Sequence, residues 1–120
     1  MKKKLYISAP ISGRDPEECR KFFDGVARDA AERGWQPINP MDNGLEAEAP
    51  WGQHMRKDIL MMLECDAIIL MSGWQFSRGC RLEEIVAREL GMEVIEHEKW
   101  GMPFADDSLK FNSTKHGNND

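Results

Sequence analysis

The stretch that most constrains the fold is Ala67-Ile68-Ile69-Leu70-Met71, a run of apolar residues with no polar alternation. A strand with one face in water alternates apolar and polar residues, whereas a strand covered on both faces does not. The run therefore predicts a buried strand of a parallel sheet. Parallel neighbours need long crossover connections, so helices are expected on either side of this strand along the chain.

Strand and helix patterns alternate along the chain up to Glu96. Asp15 and Pro16 are typical of a helix start, Gly34 of a helix end, and Pro37 of a strand near the edge of a sheet. This order predicts an α/β fold with a parallel sheet and right-handed crossovers. The predicted elements are strands at 5–7, 35–39, 67–71 and 93–96, and helices between 15 and 34, from about 52 to 64, and from about 81 to 90.

Length and charge narrow the classes of function. A chain of 120 residues is long enough for one domain with one core. The net charge of −5 argues against a general nucleic-acid binder, which needs a basic face. No apolar stretch approaches the roughly 20 residues that span a bilayer, and the N-terminus lacks a secretory pattern. We therefore expect a cytoplasmic protein with neither a nucleic-acid nor a membrane partner.

The cysteines and histidines do not indicate a metal centre. The three cysteines form no CxxC pair, and the three histidines do not stand at metal-ligand spacing from them. We expect reduced thiols, no metal and no cofactor. Residues 105–120 are polar and aperiodic, which predicts a domain over 1–104 followed by a flexible tail.

Two loops follow strands at the edge where ligands bind in open parallel sheets. They read ISAPISGR and MSGWQFSRG, and each leads into a helix. Hydroxyls of Ser12 and Ser77, with backbone N–H groups at a helix start, suit an anion, and Gly13 and Gly79 permit close approach. Neither loop contains a Walker or dinucleotide fingerprint. Taken alone, each loop is equally well explained as a plain turn.

Glu83 is the first of two carboxylates that stand out. On a helical wheel, Leu82, Val86 and Leu90 are expected to form the apolar stripe, with Glu83 at its border and Glu84 pointing away. Glu83 is thus better placed to face a cleft. From position alone, a first-turn glutamate that complements the helix dipole is the more frequent explanation.

Asp58 is the second carboxylate and the less ordinary one. It adjoins the expected inward face of its helix, which carries Met55, Ile59, Met62 and Leu63. A carboxylate there must be paired, hydrogen-bonded or functional. Pairing with Arg56 or another cation and a role in function remain open alternatives.

Together, four features resemble the nucleoside 2-deoxyribosyltransferase superfamily, which includes deoxyribosyltransferases and deoxynucleoside 5′-monophosphate N-glycosidases. They are the strand LYIS with the loop APISGR, Asp58 eight residues before Asp66, SRGCRLE with Ser77, Gly79 and Glu83, and the run ARELGMEVI. The match covers about residues 4–96 and is closest to a phage and bacterial branch of unassigned function. It implies a flavodoxin-like or Rossmann-like three-layer sandwich with a parallel sheet of four to five strands.

The resemblance also implies a glycosidic chemistry. Glu83 would attack C1′ of a deoxyribosyl group and expel the nucleobase through an oxocarbenium-like transition state. Asp58 would contact or protonate the base, and Tyr6 would hold Glu83 or line the sugar pocket. Water or a second base would then release the glycosyl-enzyme.

Position 77 indicates which substrate the resemblance implies. The transferases typically carry an aspartate there, which suits a free 5′-hydroxyl, whereas the N-glycosidases carry a serine in a phosphate pocket. A serine can donate to a phosphate that an aspartate would repel, so Ser77 favours a nucleoside 5′-monophosphate. The residues expected to bind substrate are Ser8, Pro10, Ile11, Ser12, Gly13, Arg14, Trp74, Ser77, Arg78 and Gly79.

Several alternatives remain open at this stage. Trp74 is expected either to stack on a base or to form a lid packed on the core. The same fold would also suit a nucleotide-binding protein without activity, or an enzyme that cleaves NAD. Because the superfamily completes its site with a residue from a neighbouring subunit, a homodimer or larger homo-oligomer is implied.

Overall fold

The computed structural model describes residues 2–100, so the predicted tail over 105–120 lies outside the described residues. Strands and helices alternate as predicted, with short 3₁₀ turns between some of them. The strands are β1 (Lys4–Ser8), β2 (Gln36–Ile38), β3 (Ala67–Leu70) and β4 (Glu93–Glu96). The helices are α1 (Pro16–Glu32), α2 (Trp51–Leu63) and α3 (Arg78–Glu89), and the 3₁₀ turns are Pro40–Asp42, Trp74–Phe76 and His97–Trp100.

The strands form one sheet in the order β2-β1-β3-β4, and every neighbouring pair is parallel. This confirms the α/β fold with a parallel sheet, and the four strands fall within the predicted number. All four residues of β3 are buried, as its unbroken apolar run predicts. β2 lies at an edge, in agreement with the expectation from Pro37, whose missing N–H is tolerated there.

Helices cover both faces of the sheet, which makes three layers. Leu5 and Ile7 of β1 pack with Phe22, Phe23 and other residues of α1 on one face. On the other face, Tyr6 packs with residues of α2 and α3. Because side chains alternate along a strand, Tyr6 and Ser8 lie on the same face, toward α2 and α3. This alternation positions the site described below.

α3 begins at Arg78, three residues earlier than predicted. The reason is Ser77, whose extended backbone and side-chain oxygen cap the helix by accepting a 3.1 Å hydrogen bond from the N–H of Cys80. The prediction that Glu83 lies in the first turn of α3 was therefore wrong, because a helix that begins at Arg78 has Glu83 in its second turn.

The inward faces of α2 and α3 also differ from prediction. Leu90, expected in the apolar stripe, is 62% exposed, and Leu63 is 46% exposed. The buried residues are Met55, Asp58 and Met62 on α2, and Gly79, Cys80, Glu83 and Ala87 on α3. α3 lies close to α2 at Gly79, where an added Cβ would be 3.2 Å from the sulfur of Met55. Each carboxylate thus sits in the middle of a buried face and not at its border.

Candidate active site

The Glu83 carboxylate is held from both sides by hydroxyl groups of β1. The hydroxyl of Tyr6 donates to Oε2 at 2.6 Å, and the hydroxyl of Ser8 donates to Oε1 at 2.7 Å. All three side chains are buried, with Glu83 only 5% exposed. Two donors on two different oxygens fix both the position and the plane of the carboxylate.

Tyr6 remains a donor over the physiological range of pH. Burial, followed by the negative charges of Glu83 and Asp58, raises the pKa of the phenol well above its usual value of 10.0. The hydroxyl therefore keeps its proton for Glu83. Glu83 and Asp58 are thus both close enough to the Tyr6 hydroxyl to affect its pKa.

Asp58 is the second buried carboxyl group and is 5% exposed. Its Oδ1 accepts a 2.8 Å hydrogen bond from the side-chain amide of Asn43. Burial raises its pKa from 3.8 to about 6, although the bond from Asn43 and the electrostatic influence of His54 both act in the opposite direction. The partner of Asp58 is thus a neutral amide, and pairing with Arg56 was the wrong alternative.

Asn43 belongs to a wider hydrogen-bonded group beside Asp58. Its side-chain oxygen accepts from the N–H of Leu45 at 2.9 Å, and its Nδ2 lies 3.0 Å from Nδ1 of His54. The other ring nitrogen of His54 lies 2.9 Å from the carbonyl oxygen of Glu46. These bonds fasten the segment between β2 and α2 to the start of α2.

Both carboxylates line one cavity of about 470 Å³ at the carboxyl edge of the sheet. Its walls come from the loop after β1, the segment between β2 and α2, and the starts of α2 and α3. Arg14 is the one permanent cation among the described residues that line it. The residues predicted from sequence that line this cavity are Tyr6, Ile11, Ser12, Gly13, Arg14, Asp58, Gly79 and Glu83.

Five other predicted residues lie outside the cavity wall. Ser8 lies behind Glu83 and acts on it by hydrogen bonding, and Pro10 is buried. Ser77 is only 2% exposed and caps α3. None of these three residues lines the cavity.

Arg78 and Trp74 are the remaining two. The guanidinium of Arg78 stacks over the ring of Trp51 at 3.8 Å from its centroid, and Trp51 lines the cavity. Trp74 is half-buried and packs against the core cluster that contains Tyr6 and Leu70. It does not line the cavity.

Sequence reasoning missed part of the cavity wall. It treated residues 40–50 as a turn-rich loop and did not assign a role to Trp51 or His54. One signal was available, because His54 and Asp58 are four residues apart and therefore share a helix face. Asn43 gave no such signal, since its contacts depend on how the loop folds back. The missed wall residues that matter most are Asn43, Leu45, Trp51, His54, Met55 and Cys80.

Three general properties of the described residues complete this account of the structure. Within residues 2–100, no group of three or more potential ligands is arranged to hold a metal ion. Over the same range, no helix is long and apolar enough to cross a membrane. All three cysteines are free and buried.

The chain is a small parallel α/β protein with a cavity lined by two carboxylates at the carboxyl edge of its sheet. Comparison with family models places the chain more closely. It belongs to the family described as "Domain of unknown function (DUF4406)", whose model matches residues 3–96. The match spans all four strands and all three helices. A search among curated proteins gives no match.

Proposed function

We propose that this protein is an N-glycosidase, or a closely related deoxyribosyltransferase, acting on a deoxynucleoside 5′-monophosphate through Glu83. The observation that carries the proposal is the Glu83 carboxylate, oriented by Tyr6 and Ser8 in the same cavity as Asp58. The ordered motifs that resemble the nucleoside 2-deoxyribosyltransferase superfamily add to it. A pair of carboxyl groups in different surroundings suits a reaction that needs one nucleophile and one acid.

The first half of the reaction divides the work between the two carboxyl groups. A carboxylate oxygen of Glu83 forms a bond to C1′ while the bond from C1′ to the base nitrogen breaks, and its electron pair leaves with the base. Asp58, whose pKa is about 6, supplies a proton to the departing base. Tyr6 and Ser8 hold Glu83 still, which limits the reorganisation needed to reach C1′.

The second half restores the enzyme. The oxygen of a water molecule attacks C1′, the ester bond to Glu83 breaks, and the water proton passes to the Asp58 carboxylate. The products are the free base and the deoxyribose 5′-phosphate, and both carboxyl groups return to their initial states. A second base in place of water would give transfer instead of hydrolysis.

Support for a phosphate comes from other residues of the cavity wall. Ser12, Gly13 and Arg14 lie on the loop after β1, and Gly79 lies in the first turn of α3. A hydroxyl, an arginine and the N-terminal end of a helix together suit a dianion. Because no acidic residue occupies the first turn of α3, that helix end keeps its full attraction for a phosphate.

The test is a panel of deoxynucleoside 5′-monophosphates, the matching ribonucleotides, free deoxynucleosides and NAD, with released base measured by chromatography. The proposal predicts release from one or more deoxynucleoside monophosphates, at a higher kcat/KM than from the matching free nucleosides. Thermal stabilisation without release from any compound would contradict it and indicate a nucleotide-binding protein. Release of nicotinamide alone would contradict it in favour of NAD cleavage.

A further inference from the structure

The hydrogen bonds around Asn43 have directions that two backbone groups determine. The N–H of Leu45 can only donate, so the Asn43 atom 2.9 Å from it is the side-chain oxygen. Nδ2 of Asn43 is then the other terminal atom. Its two hydrogens account for the bonds to Asp58 at 2.8 Å and to His54 at 3.0 Å.

The orientation of His54 follows from the same bonds. Nδ1 must accept, because Nδ2 of Asn43 donates to it. The proton of the neutral ring is therefore on Nε2, which donates to the carbonyl oxygen of Glu46 at 2.9 Å. Since the Glu46 carbonyl oxygen can only accept, the bond at this end of the series requires the same directions as the bond from Leu45 at the other end.

The consequence concerns Asp58. Its Oδ1 receives a hydrogen from Asn43 and cannot carry a second hydrogen pointing along that line. No hydrogen bond from the described residues reaches Oδ2, and Asp58 lines the cavity. We propose that Asn43, held by His54, is a positioning residue that confines the dissociable proton of Asp58 to Oδ2, the oxygen to which no described side chain donates.

This role rests on the proposed function in one respect, which is that the proton is transferred to a departing base. The geometry itself applies to any ligand with an acceptor atom near Asp58. Because the bond from Asn43 favours the ionised carboxyl group, it also keeps the pKa of Asp58 from rising further than about 6. Asn43 therefore sets both where the proton is and the pH range over which it is present.

The titratable groups around Asp58 come from every wall of the cavity. They are His54 on α2, Tyr6 on β1, Glu83 and Cys80 on α3, and Arg14 on the loop after β1. Replacing Asn43 leaves all of these in place. A change in the titration of Asp58 in such a variant therefore reports on the amide.

The experiment is a titration of the full chain labelled with ¹³C at the aspartate carboxyl carbons, followed by NMR, with the Asp58 signal assigned from its loss in Asp58→Asn. We expect a wild-type midpoint near pH 6, raised by about half a pH unit or more in Asn43→Ala. The matched control is Asn39→Ala. Asn39 is buried in the same segment but bonds to Asp24 and to the N–H of Met41, so its loss should leave the Asp58 midpoint unchanged.

Asn43→Ser is the second variant, and it keeps a polar side chain in this segment should Asn43→Ala fail to fold. It removes the amide that donates to Asp58 and leaves His54 in place, so we expect the Asp58 midpoint to rise here as well. An unchanged or lowered midpoint in the folded variants would overturn the proposal. So would an equal rise in Asn39→Ala.

Activity supplies an independent readout. If the wild type releases base, the alkaline limb of its kcat/KM profile should move to higher pH in Asn43→Ala, which a purely structural loss would not cause. If the wild type releases no base, the proposed function fails while the NMR titration still decides the role of Asn43. The two failures are thus distinguishable.

Discussion

The hydroxyl of Tyr6 lies 2.6 Å from Oε2 of Glu83, and this bond joins residues 77 positions apart in the chain. Tyr6 is on the central strand β1 and Glu83 is in the second turn of α3. The bond therefore connects β1 to α3 across the buried interface between the sheet and the helix.

Tyr6→Phe tests what this bond contributes, because phenylalanine keeps the ring that packs in the core. We expect a loss of stability of about 1–2 kcal/mol and a fall in base release of at least tenfold, since Glu83 loses one of its two hydroxyl partners. Chemical denaturation and kinetics measure the two effects. Ser8→Ala should resemble it, and a double mutant whose losses simply add would contradict a shared role on Glu83.

Stability should depend on pH through Asp58. Its pKa is about 6 in the folded protein against 3.8 normally, so between these values the folded state binds more protons than the unfolded state. The free energy of unfolding therefore falls as pH rises from about 4 to about 6, and stays reduced above that range. The expected reduction is about 3 kcal/mol.

Asp58→Asn is the matched comparison, since an amide resembles the protonated acid and does not titrate. Denaturation of both proteins from pH 4 to pH 7 should show the variant gaining stability relative to the wild type as pH rises. Parallel pH profiles for the two proteins would show that Asp58 titrates normally.

Ser77→Asp separates capping from phosphate binding. Aspartate can also cap the helix, but Ser77 is only 2% exposed, so burial of the added charge should lower the melting temperature. A negative charge at the start of α3 should also repel a phosphate and lower kcat/KM for a monophosphate by tenfold or more relative to the free nucleoside. Equal effects on both substrates would argue against a phosphate near this helix end.

Gly79→Ala tests the cavity wall. A methyl group there would lie 3.2 Å from the sulfur of Met55, a flexible side chain, so the stability change should stay within about 1 kcal/mol. The affinity for a deoxynucleoside 5′-monophosphate should fall because the methyl group narrows the cavity. Gly52→Ala, in α2 with no atom within 4 Å of the added carbon, should stabilise by up to about 1 kcal/mol and leave affinity unchanged. Equal affinity in both variants would contradict this placement of Gly79.

The sequence predicts the fold well because its signals are local. The unbroken run at β3, the cap at Asp15 and the proline in β2 each determine a nearby element, and alternating elements then leave a parallel sheet as the natural arrangement. The element ends are less well determined. The start of α3 depends on which residue caps the helix. The spacing of the leucines does not show whether Ser77 or a later residue is the cap.

The site is predictable where it lies on regular elements and not where a loop folds back. The family resemblance implied Tyr6, Asp58 and Glu83, which lie on one strand and two helices, and all three line the cavity. Asn43 was missed because nothing in its neighbourhood indicates that its amide meets Asp58 on the next helix. Trp74 was ambiguous because the core and a base offer a similar apolar surface.

The central claim is that Glu83 is the nucleophile, and Glu83→Gln tests it most directly. Gln keeps the size of the side chain, so the account predicts a folded protein whose base release falls by about three orders of magnitude or more. The control is Glu84→Gln on the same helix, which loses only an ion pair with Arg88 and should keep wild-type activity. Base release by Glu83→Gln at the rate of Glu84→Gln would contradict the account.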